Sequence, residues 1–277
     1  MNDGDLVKIA TYNQLTTQHL LQVNLAILRH QIVNPPGHSS YNDPRHLLRY
    51  GFRLYSKSEQ DGIIQEIFNR IGVKYHRFVE IGAECGIECN TAKLLIEGWS
   101  GVWVEADPQH IDRMKRHFQP FIKDGKLQSN RVFATAENAS YLVDPATDIL
   151  VIDIDYNDYW IWQAIEVRPR VVVIEYNASY WPPMSVVTPY DPKAKWDGTN
   201  YQGASLEALV RLGKRKGYQL VGCDISGSDA FFVVEEEAKE HFYFPPTSEA
   251  LYEPQRAYFS LGQYNPPSPR PFVMVVK

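Results

Sequence analysis

Two apolar runs late in the chain, Tyr218-Gln-Leu-Val-Gly222 and Ala230-Phe-Phe-Val-Val-Glu235, are separated only by a short Gly/Ser/Asp turn. Strands joined by so few residues must pair antiparallel, because a parallel pair needs a crossover of about a dozen residues or more. The chain before them alternates apolar strands with segments of helical period, the pattern of a parallel sheet with crossover helices. Strands are expected at Arg77–Ile81, Gly101–Glu105, Arg131–Thr135, Asp148–Asp153 and Arg170–Glu175. The last of these, Arg-Val-Val-Val-Ile-Glu, is β-branched and apolar on both faces, as a central parallel strand should be. Helices are expected at Asp61–Ile71, Asn90–Glu97, Pro108–Phe118, Tyr159–Ile165 and Ala204–Leu212. Phe272–Val276 is a candidate edge strand. The fold class that follows is α/β and Rossmann-like: a mostly parallel seven-stranded sheet with an antiparallel last strand, plus an N-terminal helical arm.

That arm is assigned residues 1–45, and the main domain residues 46–277. Residues from Asp5 to Gln31 are helix-like, with an apolar stretch of Leu20, Leu21, Val23, Leu25, Ile27 and Leu28 that cannot fold usefully alone. Asn34-Pro-Pro-Gly-His ends it, since proline cannot continue a helix. The arm is expected to pack on the main domain or on a second subunit, which would make a homo-oligomer. A formal charge of −5 argues against a nucleic-acid partner, which needs a basic face. No apolar run approaches the ~20 residues of a membrane span, and the N-terminus lacks a basic-then-apolar signal, so a cytoplasmic protein is expected. Cys85, Cys89 and Cys223 make no disulfide framework. Cys85 and Cys89 are read as packing residues.

The first strand runs into a glycine turn, Glu80-Ile-Gly82-Ala83-Glu84-Cys-Gly86, where backbone without Cβ can pass close to a ligand. The second strand ends in Glu105-Ala106-Asp107, placing an acid to accept hydrogen bonds from a ribose diol. Glu84 stands where a dinucleotide fingerprint needs glycine. A pyrophosphate tolerates that carboxylate poorly, whereas a ligand with a positive sulfonium or ammonium end tolerates it well. The turn therefore favours S-adenosylmethionine over NAD. As it stands, Glu80-x-Gly82-x-x-x-Gly86 resembles the first motif of class I S-adenosylmethionine-dependent methyltransferases, over roughly Ser56 to Glu235. The resemblance implies cofactor contacts from Glu80, Gly82, Ala83, Glu84, Gly86, Glu105, Ala106 and Asp153, and places Glu137-Asn138 at the adenine.

Asp153-Ile-Asp155-Tyr156-Asn-Asp158 ends the fourth strand, and Glu175 with Asn177 ends the fifth. Clustered carboxylates repel unless protonated, hydrogen-bonded or holding a cation. Carboxylates with an amide form a hard oxygen site suited to Mg²⁺, which chelates and acidifies hydroxyls. The arrangement resembles that of metal-dependent sugar O-methyltransferases of macrolide biosynthesis, the macrocin type. Asp153 and Glu175 match that pattern. The next position, where an acid is expected, holds Tyr176, with Asn177 one further on. Both a metal site (Asp153, Glu175, Asn177) and a metal-free site, in which acids orient substrate hydroxyls, stay open at this point. Asp153, Asp155 and Asp158 are the catalytic candidates, with Asp155, Asp158 and Tyr156 considered as general base. His110 and His117 are read as surface residues. A long aromatic loop supplies Trp181, Trp196, Tyr201 and Gln202, which with Tyr156 offer ring faces and amides for a sugar-like acceptor. The expected activity is methyl transfer to a hydroxyl of a small polar acceptor. A non-catalytic binding module and an NAD-dependent oxidoreductase are the rival readings.

Overall fold

The computed structural model describes residues 3–36, 39–259 and 264–275. The chain divides into two compact units, residues 1–44 and 45–277. The first holds one long helix, α1 (Asp3–Val33). It stops before Pro35, and the Asn34 side-chain amide donates to the His30 carbonyl, meeting one of the end carbonyls that lack a helical partner. No helix among the described residues is long and apolar enough to cross a membrane.

In the second unit the elements run α2 (Gln60–Ile71), β1 (Arg77–Ile81), α3 (Ala92–Ile96), β2 (Ser100–Glu105), α4 (Pro108–His117), α5 (Gln119–Lys123), β3 (Leu127–Arg131), β4 (Ile149–Ile152), α6 (Asp158–Ala164), β5 (Val171–Glu175), β6 (Val186–Val187), α7 (Leu206–Arg215), β7 (Tyr218–Cys223), β8 (Asp229–Val234) and β9 (Val273–Met274). Seven strands form one sheet in the order β3-β2-β1-β4-β5-β8-β7. Strand β8 is antiparallel to both neighbours, β5 and β7, while the β3–β5 pairings are all parallel. That order, with one reversed strand inserted next to β5, is the class I methyltransferase fold. The hairpin that the short turn demanded is the feature that inserts it.

Both faces of the sheet are covered. Val79, Ile81, Leu150, Ile152, Val172 and Ile174 pack on one side with Trp162 and Leu209. On the other, Phe78, Val151, Val173 and Phe231 pack with Ile63, Ile67 and Trp103. Alternate residues of each strand feed opposite clusters, as the two-residue period requires.

Two expectations are corrected. Strand β3 is Leu127–Arg131, aligned with Gly101–Glu105, and not Arg131–Thr135. It is an edge strand on which only Leu127 is buried, so Gln128-Ser-Asn-Arg131 carries no apolar signature. The apolar residues that follow leave the ladder; Val132 and Ala134 pack on the core at the strand ends. The candidate strand Phe272–Val276 is reduced to β9, which pairs with β6 in a separate two-stranded sheet instead of extending the main one. Phe272 packs on the rings of Tyr180 and Tyr201, 4.5 and 4.7 Å away between centroids, which ties the tail to the loop after β5.

Candidate functional site

Ligands of open α/β sheets lie outside the carboxyl ends of the strands. Three adjoining cavities open there. The largest, about 560 Å³, lies over β1, β2 and β4 and is lined among others by Gly82, Glu84, Glu105, Phe133, Asp155 and Trp196. A second, about 180 Å³, lies over β5 and β8, with Glu175, Asn177, Asn200, Gln202, Ser228 and Asp229 in its wall. A third, about 250 Å³, is bounded by Lys57, Glu80, Glu84, Asn90, Arg113 and Asp229. Asp153 lines all three.

The glycine turn is built on close backbone approach. Gly82 has φ +93°, and a Cβ there would stand 1.7 Å from the Asp153 carbonyl oxygen. The Gly82 and Ala83 amides both donate to the Val104 carbonyl, at 2.9 and 3.2 Å. Glu84 is left-handed too, at φ +45°, a conformation few non-glycine residues adopt. Its amide donates to Glu105 Oε2 at 2.9 Å, while the Ala106 and Asp107 amides each donate to Oε1 at 2.7 Å. Glu105 is thereby fixed by both turns at once. Asp107 caps α4 by accepting from the Gln109 amide, and that hydrogen bond holds its carboxyl below the usual range. His110, read from sequence as a surface residue, instead faces the cavities, with Nδ1 4.0 Å from Glu105 Oε2.

Glu80 is buried and accepts from the Asn90 and Thr91 amides and the Thr91 hydroxyl. Burial outweighs those bonds and pushes it up to about 6. It anchors the chain leading into α3 and also lines the third cavity. Cys89 is buried, its thiol donating to the Ala83 carbonyl, in keeping with a packing role. Glu137 and Asn138 do not line the large cavity, whose wall here is Val132, Phe133 and Ala134. Glu137 accepts from the Tyr190 hydroxyl, and Asn138 closes its own turn through the Thr135 amide and Phe133 carbonyl.

At the ends of β4 and β5 the acids converge. Asp153, Asp155 and Glu175 can each present a carboxylate oxygen within 4.8 Å of the others. Asp155 is left-handed at φ +65°. Burial, then the charge of Asp153, pushes it up to about 7. The same two causes hold Glu175 well above the ordinary carboxylate range. Glu175 Oε1 accepts from Gln202 Nε2 at 3.2 Å, and buried Oε2 has no hydrogen-bond partner among the described residues. Asp158 is fully buried behind the cavities and accepts from the Ile154 amide, the residue between Asp153 and Asp155. Burial pushes it up to about 8. Its place is that of a support for the acidic turn.

Asn177 lines the second cavity and is held there by its own loop. Its side-chain amide donates to the Asn200 and Gln202 carbonyls, and its oxygen accepts from the Ser179 amide. Tyr176 turns into the core, where its hydroxyl donates to the Glu253 carbonyl at 2.6 Å. Asp153, Asp155 and Glu175 are thus three hard carboxylates close enough together to fit a divalent ion, with Asn177 in the cavity wall alongside Glu175.

Of the aromatic loop, Tyr156 lines the large cavity and meets Tyr201 edge-on at 6.0 Å. Tyr201 is a wall, its hydroxyl donating to the Pro271 carbonyl and its face covered by Arg270 at 3.9 Å. Arg270 also pairs with Asp197. The Ser268 amide donates to Asn200 Oδ1, and Asn265 Nδ2 to Gln202 Oε1, so the tail clasps the second cavity. Trp196 lies on the large cavity and not the second one, and Trp181 is exposed on the surface and lines none of the three.

Sequence reasoning missed Lys57. Its ammonium donates to Asp153 Oδ2 at 3.3 Å, and the charges of Asp153, Glu84, Glu175 and Asp155 raise its pKa. The segment Ser56-Lys-Ser-Glu-Gln-Asp-Gly62 is the only local signal. Asp61 Oδ2 accepts from the Leu54, Tyr55 and Ser56 amides and from the Ser56 hydroxyl. Gly62 allows the segment to fold over it, since a Cβ there would lie 2.2 Å from the Tyr50 carbonyl oxygen.

No family model matches the chain. Nor does any curated protein match it. Among solved structures it is similar to the N-terminal domain of EvdMO1 in the presence of SAH and D-fucose, at 16% identity over 69% of this chain and 91% of that one, with a TM-score of 0.42. It is similar also to an O-methyltransferase family protein from Burkholderia thailandensis, at 10% identity over 63% of this chain and 57% of that one, TM-score 0.40. A third is the SAH-bound Podospora anserina methyltransferase PaMTH1, at 13% identity over 42% and 53%, TM-score 0.32.

Proposed function

We propose that this protein transfers a methyl group from S-adenosylmethionine to a hydroxyl of a small polar acceptor, of the sugar or polyol class. The observation that carries the reading is the meeting of the cavities at Asp153: a nucleoside-sized space on one side, an amide-rich one on the other, and acids between them. At about 560 Å³ the large cavity is within the range of small-molecule sites. Glu105 suits a ribose diol, Trp196 and Phe133 offer apolar faces to a base, and Glu84 and Asp153 offer negative charge to a sulfonium. On the acceptor side Asn200, Gln202, Ser226 and Ser228 supply donors and acceptors for hydroxyls.

In the transfer the acceptor oxygen gains the methyl carbon, sulfur keeps the electron pair of the broken C–S bond, and the hydroxyl proton leaves to a base. Asp155 is placed for that base: it lines the large cavity beside Asp153, and burial with the charge of Asp153 pushes it up to about 7, suiting a group that must take and release a proton near neutrality. Asp153 orients the hydroxyl where the cavities join, and Asp158 holds the Ile154 amide so that the two acids keep their spacing. Much of the acceleration would come from alignment of oxygen, methyl and sulfur. A divalent ion on Asp153, Asp155 and Glu175 would supply chelation and acidification of the hydroxyl; Lys57 already stands at one of these oxygens, Asp153 Oδ2.

The test is calorimetry with S-adenosylmethionine and S-adenosylhomocysteine, followed by mass spectrometry of sugars, nucleotide sugars and polyols after incubation with methyl-labelled donor. Absence of binding by either nucleoside refutes the reading. Binding without transfer to any acceptor of the panel favours a non-catalytic binding module.

A further inference from the structure

We propose that Lys57 is a tethered cation standing where a divalent metal ion would sit, so that Asp153, Asp155 and Glu175 take up metal only when this side chain is withdrawn or removed. The inference rests on the same strand-end site as the methyl-transfer reading and deepens it by naming the charge that balances the acids.

Three features carry it. The first is convergence: the three carboxylates approach within 4.8 Å of one another, a hard oxygen set that suits Mg²⁺ or Mn²⁺. The Lys57 ammonium is already at one of them, 3.3 Å from Asp153 Oδ2. The second is construction. Ser56 and Ser58, on either side of Lys57, are buried, and the backbone before it is bound by successive amides to Asp61 Oδ2. Gln60 then donates to Asp229 at 2.7 Å, locking the segment to the end of β8. A lysine on so fixed a backbone delivers its charge to one place, while the side chain itself, 45% exposed, keeps room to swing aside. The third is the sign of the surroundings. Lys57 also lines the second cavity, whose wall, among the described residues, holds no other Lys, Arg or His but does hold Asp153, Glu175 and Asp229. An acceptor phosphate or carboxylate drawn to Lys57 would meet those acids. Lys57 therefore serves the protein's own carboxylates as a counter-ion and is not an anion receptor. An ammonium and a divalent cation cannot share the same oxygens without strong mutual repulsion.

The experiment uses Mn²⁺ as the probe, followed by electron paramagnetic resonance and calorimetry, on the full chain and on K57R, K57Q and K57Q/E175Q. Circular dichroism and thermal unfolding check that each variant is folded. Wild type and K57R are expected to bind Mn²⁺ weakly, K57Q at least about tenfold more tightly once the cation is gone, and K57Q/E175Q weakly again. Equal affinity of wild type and K57Q overturns the proposal, because Lys57 then excludes nothing. Failure of folded K57Q to bind Mn²⁺ overturns it as well, because the acids then form no cation site. Binding of S-adenosylhomocysteine to the wild type is measured separately. Its absence refutes methyl transfer while leaving the Mn²⁺ comparison standing.

Discussion

Glu175 and Asp229 are directly opposed residues of the antiparallel pair β5–β8, and both line the second cavity. Asp229 is stabilised by hydrogen bonds from Gln60 Nε2 and Asn90 Nδ2, but burial, then the charges of Asp224 and Asp153, pushes it up to about 8. The folded protein thus keeps protons that the unfolded chain releases near pH 4. Stability from this source is fully present below about pH 4 and is lost progressively as pH rises from there through about 8.

Asp229→Asn should therefore flatten the fall in stability between about pH 4 and about 8. Thermal unfolding between pH 5 and 9, within the range set by these pKa values, should show wild type losing more of its midpoint than the variant. Parallel profiles would show that Asp229 does not carry the proton.

Asp61→Ala should destabilise the protein by about 3 kcal/mol or more, since three amides and a hydroxyl lose one charged acceptor. Urea denaturation measures it. A change under about 1 kcal/mol would mean that the segment carrying Lys57 holds its shape without Asp61.

Gly82→Ala should be among the most damaging single methyl additions, combining a left-handed backbone with a 1.7 Å approach to Asp153. A loss of more than about 2 kcal/mol is expected. Near-native unfolding and unchanged nucleoside binding would show that the β1 turn and the Asp153 backbone can separate at little cost.

Glu105→Gln should weaken S-adenosylhomocysteine about tenfold or more, the worth of a charged hydrogen bond to a diol hydroxyl. Isothermal titration is the measurement, with 2′-deoxyadenosine analogues as a check. If the variant and wild type lose the same factor on removal of the 2′-hydroxyl, Glu105 is not the diol's partner.

What was legible in the sequence is what short-range chemistry determines. The turn between Tyr218–Cys223 and Asp229–Val234 is too short for anything but a hairpin, so the reversed strand followed from spacing alone. Glu80, Gly82, Glu84 and Glu105 sit within two consecutive strand ends, and the structure brings all four to adjoining cavities. Strand β3 was displaced because an exposed edge strand needs hydrogen bonds but not apolar side chains. Lys57 was invisible because its partner Asp153 lies 96 residues away and neither neighbour hints at it. Asn177 was placed at the site by position, but the bonds of its side-chain amide to the Asn200 and Gln202 carbonyls come from residues more than twenty positions away and left no local signal.

The clasp of the C-terminal tail has a temporal meaning. Among the described residues, every one lining the largest cavity lies at or before Trp196, whereas the second cavity waits for Asn265, Ser268 and Arg270 to reach Gln202, Asn200 and Tyr201. A chain emerging from the ribosome has thus synthesised all of one compartment's lining long before the other's fastening. The compartment assigned to the acceptor closes only after residues 265–270 are made, and a nascent chain halted before residue 264 would carry it unfastened.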